Sequence, residues 1–210
     1  MKHKSMKVLA AILAGGLAIG SVSAQTDPAV SAPAEAKPPQ KLPFYVYSDQ
    51  GDHFIPSGYM GDTSDITIVG MYKQSPAKGQ ACMKVKYRGK SGQGNKWAGV
   101  YWQDPANNWG TVKGAGYNLT GAKKLKFMAR GDKGGEVIEF KSGGISGEFP
   151  DSYRAEAPII TLTPEWQEYA IDLEGQDLST VIGGFIFAVA KDKNPDGATF
   201  FLDEIRFQAD

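Results

Sequence analysis

The sequence predicts an all-β fold: a two-sheet antiparallel β-sandwich of the jelly-roll type. Three observations predict it. Short runs alternate apolar and polar residues with a period of two. Glycine-rich turns, drawn from 26 glycines in 210 residues, separate those runs at sandwich-like spacing. No stretch carries the 3.6-residue apolar period of a long amphipathic helix.

The N-terminus reads as an export signal, residues 1–24. Lys2, Lys4 and Lys7 are basic, Val8 to Gly20 is apolar, and Val22-Ser23-Ala24 offers small residues before a cut after Ala24. The apolar run is too short to span a membrane. The protein is therefore expected to be secreted or periplasmic. Residues 25–41 (QTDPAVSAPAEAKPPQK) are rich in Pro and Ala and read as a disordered spacer. The folded domain is expected over 42–210.

The chain carries 23 basic and 23 acidic residues, so its formal charge is zero. That gives no case for nucleic acid, which needs a net basic face. His53 is the sole imidazole beyond the signal, which excludes poly-histidine metal sites and leaves His53 as the one histidine any triad could use. The single cysteine, Cys82, sits in an alternating run and reads as an inert strand thiol.

The strands are expected in this order. Phe44 to Tyr47 comes first, then an irregular segment, Ser48 to Asp65, with four aspartates. Ile66 to Met71 follows. Ala81 to Tyr87 points Ala81, Met83, Val85 and Tyr87 inward. Lys124 to Arg130 points Leu125, Phe127 and Ala129 inward, and a turn at Gly131 to Gly135 reads as a hairpin into Glu136 to Lys141. Ile159 to Leu162 and Trp166 to Leu173 are strands, and 177–181 reads as one helical turn. Gly184 to Ala190 is apolar without alternation, as for a central strand or one lining a cleft. Ala198 to Phe207 is the last.

The most informative stretch is Trp97 to Gly110, WAGVYWQDPANNWG, with three of the four tryptophans. Ala98, Val100 and Trp102 fall on one face and suit a core. Trp97, Gly99, Tyr101 and Gln103 fall on the other. Flat rings beside an amide suit a sugar, whose C–H faces stack on aromatics while its hydroxyls need donors and acceptors.

Trp166 to Leu173 (WQEYAIDL), the apolar strand after it and Thr199 to Phe207 (TFFLDEIRF) together resemble the C-terminal half of β-jelly-roll carbohydrate-binding modules of the galactose-binding-like superfamily. ACMKVKY and KKLKFMARG fit the same strand order. The resemblance covers residues 44–207. It implies a non-catalytic binder of polysaccharide or oligosaccharide, monomeric, with a concave sheet as groove. Trp97, Tyr101 and Gln103 would line it. Arg130 beside Met128, with Glu139 and Lys141, would lie on neighbouring strands, and Trp109 and Tyr153 would come from loops. Such modules often hold one structural calcium. The resemblance implies Asp203 as its last-strand ligand, with Asp49, Asp62 and Asp65 as candidates from the early loop.

Two other functions compete. A cell-envelope interaction domain would present its outward aromatics as a flat patch. A glycan-cleaving enzyme would need two carboxylates across the scissile bond. Glu136 and Glu139 lie on opposite strand faces, and Glu148, Asp151 and Glu156 form no motif. His53 with Tyr59 is the sole pairing suggestive of a lyase.

Overall fold

Alternation carries through to a sandwich of twelve strands among the described residues, 37–49 and 51–210 of the computed structural model. The predicted signal and most of the predicted spacer lie outside the described residues. The strands are β1 (Phe44–Tyr47), β2 (Ile55–Gly61), β3 (Ile66–Tyr72), β4 (Cys82–Tyr87), β5 (Trp97–Gln103), β6 (Lys124–Gly131), β7 (Val137–Gly143), β8 (Arg154–Glu156), β9 (Ile160–Thr161), β10 (Gln167–Asp172), β11 (Gly183–Ala190) and β12 (Ala198–Gln208). One sheet runs β10-β6-β12-β4-β3, with β1 also paired to β12. The other runs β2-β5-β11-β7-β8, with β9 also paired to β7.

The inner faces are those the alternation selects. Ala98, Val100 and Trp102 are fully buried. They register against Val189, Phe187 and Phe185 of β11. Leu125, Phe127 and Ala129 of β6 close the core from the facing sheet. Rings interlock across the gap: Phe127 lies 4.7 Å from Phe140 and 5.2 Å from Phe185, and Phe187 lies 5.2 Å from Phe200. Such tilted and edge-on aromatic pairs add to plain area burial.

β12 is the spine of the first sheet. Its first half pairs with β4, and Phe200 to Gln208 pair with β6. A bulge between Asp203 and Arg206, with Glu204 at φ +50°, shifts the register. Beyond it β1 takes the place of β4, with Phe44 opposite Phe207.

Four expectations change. The Gly131–Gly135 turn is a corner between sheets and not a hairpin, because β6 and β7 belong to different sheets. Glu136 Oε1 accepts the N–H groups of Asp132 and Lys133, and the Gly131 N–H donates to Thr163 O. A glycine-rich turn reverses the chain in either case; distant partners decide which strands pair. β2 crosses the segment expected to be irregular. Residues 177–181 form no helix, and Leu178 and Val181 are buried instead. Finally, the folded unit begins before residue 42. Asn118 Nδ2 donates to Lys37 O at 2.6 Å, and Gln40 N–H donates to Asn118 O at 2.8 Å.

Cys82 is a free, buried thiol, and burial pushes its pKa up to about 11, in line with an inert strand residue.

Emptying the site of the largest core side chain tests the face assignment. Trp102→Ala is expected to cost about 3–5 kcal/mol, the usual range for a buried aromatic, measured as the shift in denaturant midpoint at constant slope. A tolerated Trp102→Ala would mean that the faces of β5 are reversed.

Candidate functional site

The outer face of the β2-β5-β11-β7-β8 sheet gathers the best candidates. On β5, inward Ala98, Val100 and Trp102 leave Trp97 and Tyr101 facing out. Trp97 is 38% exposed and Tyr101 is half-buried. They stand four residues apart, about 13 Å along a strand. Gly99 lies between them on the same face. A Cβ there would sit 2.7 Å from Phe187 O, so the close approach of β11 excludes a side chain and keeps the space between the rings low. On β11, outward Ala188 and Ala190 supply a shallow floor where aromatic residues would fill the space.

The far wall is charged. Cross-strand register puts Ala188 beside Glu139, and Ile186 beside Lys141. Lys141 Nζ lies 2.8 Å from Glu139 and 3.6 Å from Glu156, and Arg154 lies 3.9 Å from Glu156. Two acids and two bases therefore alternate along this wall without net charge.

Two hollows result. One, of about 760 Å³, lies between Trp97, Ala190, Glu139 and Lys141, closed at one end by Ser91, Asn95 and Lys96. The other, of about 210 Å³, is lined by Met60, Tyr101, Ile186, Gly143 and Arg154. Trp97, Lys141 and Ala188 line both, so the two form one trough with Trp97 at its middle.

Trp109 extends the aromatic row. It is 39% exposed, and its ring meets Tyr101 edge-on at 5.6 Å. The loop that carries it is braced from below by Gln103, which is fully buried. Gln103 Nε2 donates to Asn108 O, Ser57 Oγ donates to Gln103 Oε1, and Asn108 Oδ1 accepts the N–H groups of Gly110, Thr111 and Val112. Gln103, expected as a sugar contact, is thus a support for Trp109, with its amide fully engaged.

Three more expected residues leave the site. Tyr153 is buried, its hydroxyl bonded to Ser142, and burial raises its pKa. Arg130 and Met128 lie on β6 and so face out from the opposite sheet. Residues the sequence reading passed over are Met60, Ala188, Ala190 and Asn95. Their types carry no chemical signature, and topology alone brings them here.

The resemblance implied calcium at the four aspartates; such an ion needs several oxygens converging on one point. Among the described residues, no three His, Cys, Asp or Glu side chains form a group that could hold a metal. Each carboxylate instead accepts backbone N–H groups. Asp62 takes those of Gln93, Asn95 and Lys96, and its own N–H donates to Trp97 O. Asp65 takes that of Ser91 and lies 3.7 Å from Arg88. Asp203 takes those of Ala77, Lys78 and Glu204, and Asp49 that of Gln80.

Burial by itself would raise the Asp62 carboxyl, but the amides of Asn95, Lys96 and Gln93 outweigh it and hold its pKa below the ordinary value. Gly61, at φ +70°, lets this corner form. A Cβ there would meet Trp97 O at 2.3 Å. Asp62 therefore fastens the loop 91–96 that closes one end of the trough.

Asp62→Ala is accordingly expected to lower the thermal midpoint, because it frees the amides of Gln93, Asn95 and Lys96 at once. An unchanged midpoint in that variant would overturn this role for Asp62.

No family sequence model matches the chain, and no curated protein matches it in sequence. Solved structures do match in fold. A crystal structure of a family 30 carbohydrate-binding module superposes with a TM-score of 0.53 at 16% identity, covering 81% of this chain and 100% of that one. The family 30 carbohydrate-binding module of the cellulosomal cellulase Cel9D-Cel44B of Clostridium thermocellum gives 0.50 at 17% identity, covering 79% and 96%. At such identities the likeness is one of fold: the described domain has the two-sheet β-sandwich of carbohydrate-binding modules, the architecture that the strand resemblance implied.

Proposed function

We propose that this is an exported, non-catalytic glycan-binding protein, and that the trough on the β2-β5-β11-β7-β8 sheet takes a neutral oligosaccharide segment. One observation carries the reading: Trp97, 38% exposed, stands beside a floor of alanines with a hydrogen-bonding wall opposite. Trp97, Tyr101 and Trp109 supply stacking faces. Glu139, Lys141, Glu156 and Arg154 supply donors and acceptors whose charges cancel along that wall, and Lys96, Lys191 and Asp192 add charged hydrogen-bonding groups at the larger hollow. Affinity in the micromolar to millimolar range corresponds to about −8 to −4 kcal/mol.

Geometry weighs against hydrolysis. Glu139 and Glu156 are the acids nearest each other on the trough wall, but they share the single ammonium of Lys141 and stand 39% and 57% exposed. Glycoside hydrolysis asks for a sheltered, protonated acid opposite a second carboxylate. The lyase pairing also lacks support. His53 packs 4.0 Å from Phe44, bonds Tyr45 O, and lines neither hollow.

Affinity gels on a panel of neutral polysaccharides test the reading. Trp97→Ala and Tyr101→Ala are expected to abolish retardation while shifting the thermal midpoint far less than Trp102→Ala does. A folded Trp97→Ala variant retarded as strongly as the parent would move the site off this sheet. Release of reducing ends or of unsaturated products would overturn the non-catalytic reading.

A further inference from the structure

The trough does not account for Arg130. This residue lies on the outer face of the other sheet, in a row that crosses four strands. Register aligns Val69 of β3 with Lys84 of β4, Lys84 with Phe201 of β12, and Phe201 with Arg130 of β6. The adjacent row aligns Thr67, Lys86 and Thr199. Directly opposed residues share a face. Lys84, Lys86 and Arg130 therefore surround Phe201 and Thr199 on one side of the sheet.

These cations lack counter-charges among the described residues. Arg88, Arg154 and Arg206 each pair with a carboxylate, and Arg130 alone of the four arginines does not. Lys84 and Lys86 have no ion pair either. The nearest acids by register are otherwise placed. Asp203 is 1% exposed and bound by amides, and the exposed Asp132 lines a hollow with Lys86 and Thr199 but makes no ion pair among the described residues.

Arg130 is also held in position. Its guanidinium carbon lies 3.7 Å from the centroid of Phe201 and 5.3 Å from that of Trp166. Trp166 is in turn fixed by a bond from Nε1 to Ser75 O. One N–H of the guanidinium donates to Gly131 O, which leaves most of its five donors for a ligand. Lys84 Nζ leans on the same Phe201 ring at 5.7 Å and on Tyr72 at 4.8 Å. A planar, pre-set fork beside two ammonium groups matches an oxyanion.

We propose that Arg130, Lys84 and Lys86 form a second binding site, which recognises the carboxylate or sulfate groups of an acidic polysaccharide. Two threonine hydroxyls set among three cations suit a ligand that alternates hydroxyls with anionic groups. Nucleic acid fits less well, because Phe201 is 2% exposed and offers no ring for a base to stack on.

The probes are dextran sulfate for sulfate, polygalacturonate for carboxylate, and unmodified dextran as the neutral control, at low salt. One or both polyanions are expected to bind, with the preferred one naming the group, and binding should weaken steadily with added salt. Arg130→Gln is expected to reduce affinity at least tenfold. Lys84→Gln and Lys86→Gln should each reduce it several-fold and flatten the salt dependence by about one counterion. The lysine variants leave the Arg130 stack in place, so they decide the matter should Arg130→Gln fail to fold. Trp97→Ala is expected to bind the polyanions as the parent does, which separates this site from the trough. Failure of both polyanions to bind, retention undiminished in all three variants, or stronger binding to phosphatidylserine vesicles than to either polysaccharide would overturn the proposal.

Discussion

The pairing of β5 with β11 constrains everything on the candidate face. Trp102 opposite Phe185, Val100 opposite Phe187 and Ala98 opposite Val189 bury three consecutive inward positions on each strand. A slip of one residue would drive Trp97 and Tyr101 into the core and bring Trp102 and Phe185 to the surface. The exposed aromatic row is thus a by-product of core registration. It needs no tuning of its own beyond small residues at Gly99, Ala188 and Ala190, which leave the space above the sheet open.

A second constraint acts on the loops. Glycine-rich connections such as 88–96 and 73–81 have no apolar period with which to pack. Here they are secured by side-chain acceptors: Asp62 and Asp65 for the first, Asp203 and Asp49 for the second. Asn108 does the same for the Trp109 loop, and Asp151 for the N–H groups of Ile145, Ile182 and Gly183. Asp62, Asp203, Asp151 and Asn108 each collect three amide hydrogens that would otherwise lack partners. This is the same task that a structural cation performs with backbone carbonyls, carried out with the opposite polarity.

That polarity explains what the sequence could and could not reveal. An aspartate in a glycine-rich loop has the same letters whether it accepts amides or binds calcium, so Asp62 and Asp203 were legible as functional loop acids but not as N–H acceptors. Strand faces were legible throughout, because parity is local: Ala98, Val100 and Trp102, and likewise Leu125, Phe127 and Ala129, are all buried. Sheet membership was not legible. Gly131 to Gly135 looks like any hairpin turn, and only the distant partners β10, β12 and β11 send β6 and β7 to different sheets. β2 was hidden for a related reason. IPSGYMG contains a proline and two glycines and lacks alternation, and it holds its place through its ladder with β5. Gln103 and Tyr153 were misplaced because burial beneath a loop leaves no period to read.

The error over Arg130 follows from the same turn, and it has a physical sequel. Had β6 and β7 formed a hairpin, Arg130 and Lys141 would have shared a face, and both would have served one ligand. With the corner in place, the two cations sit on opposite outer faces of sheets packed about 10 Å apart. Their surroundings then diverge. Lys141 is neutralised by Glu139 and Glu156, whereas Arg130 meets aromatic rings and other cations. A neutral wall and an uncompensated basic row call for different ligand chemistry. The rigid core between them leaves each surface free to act without altering the other.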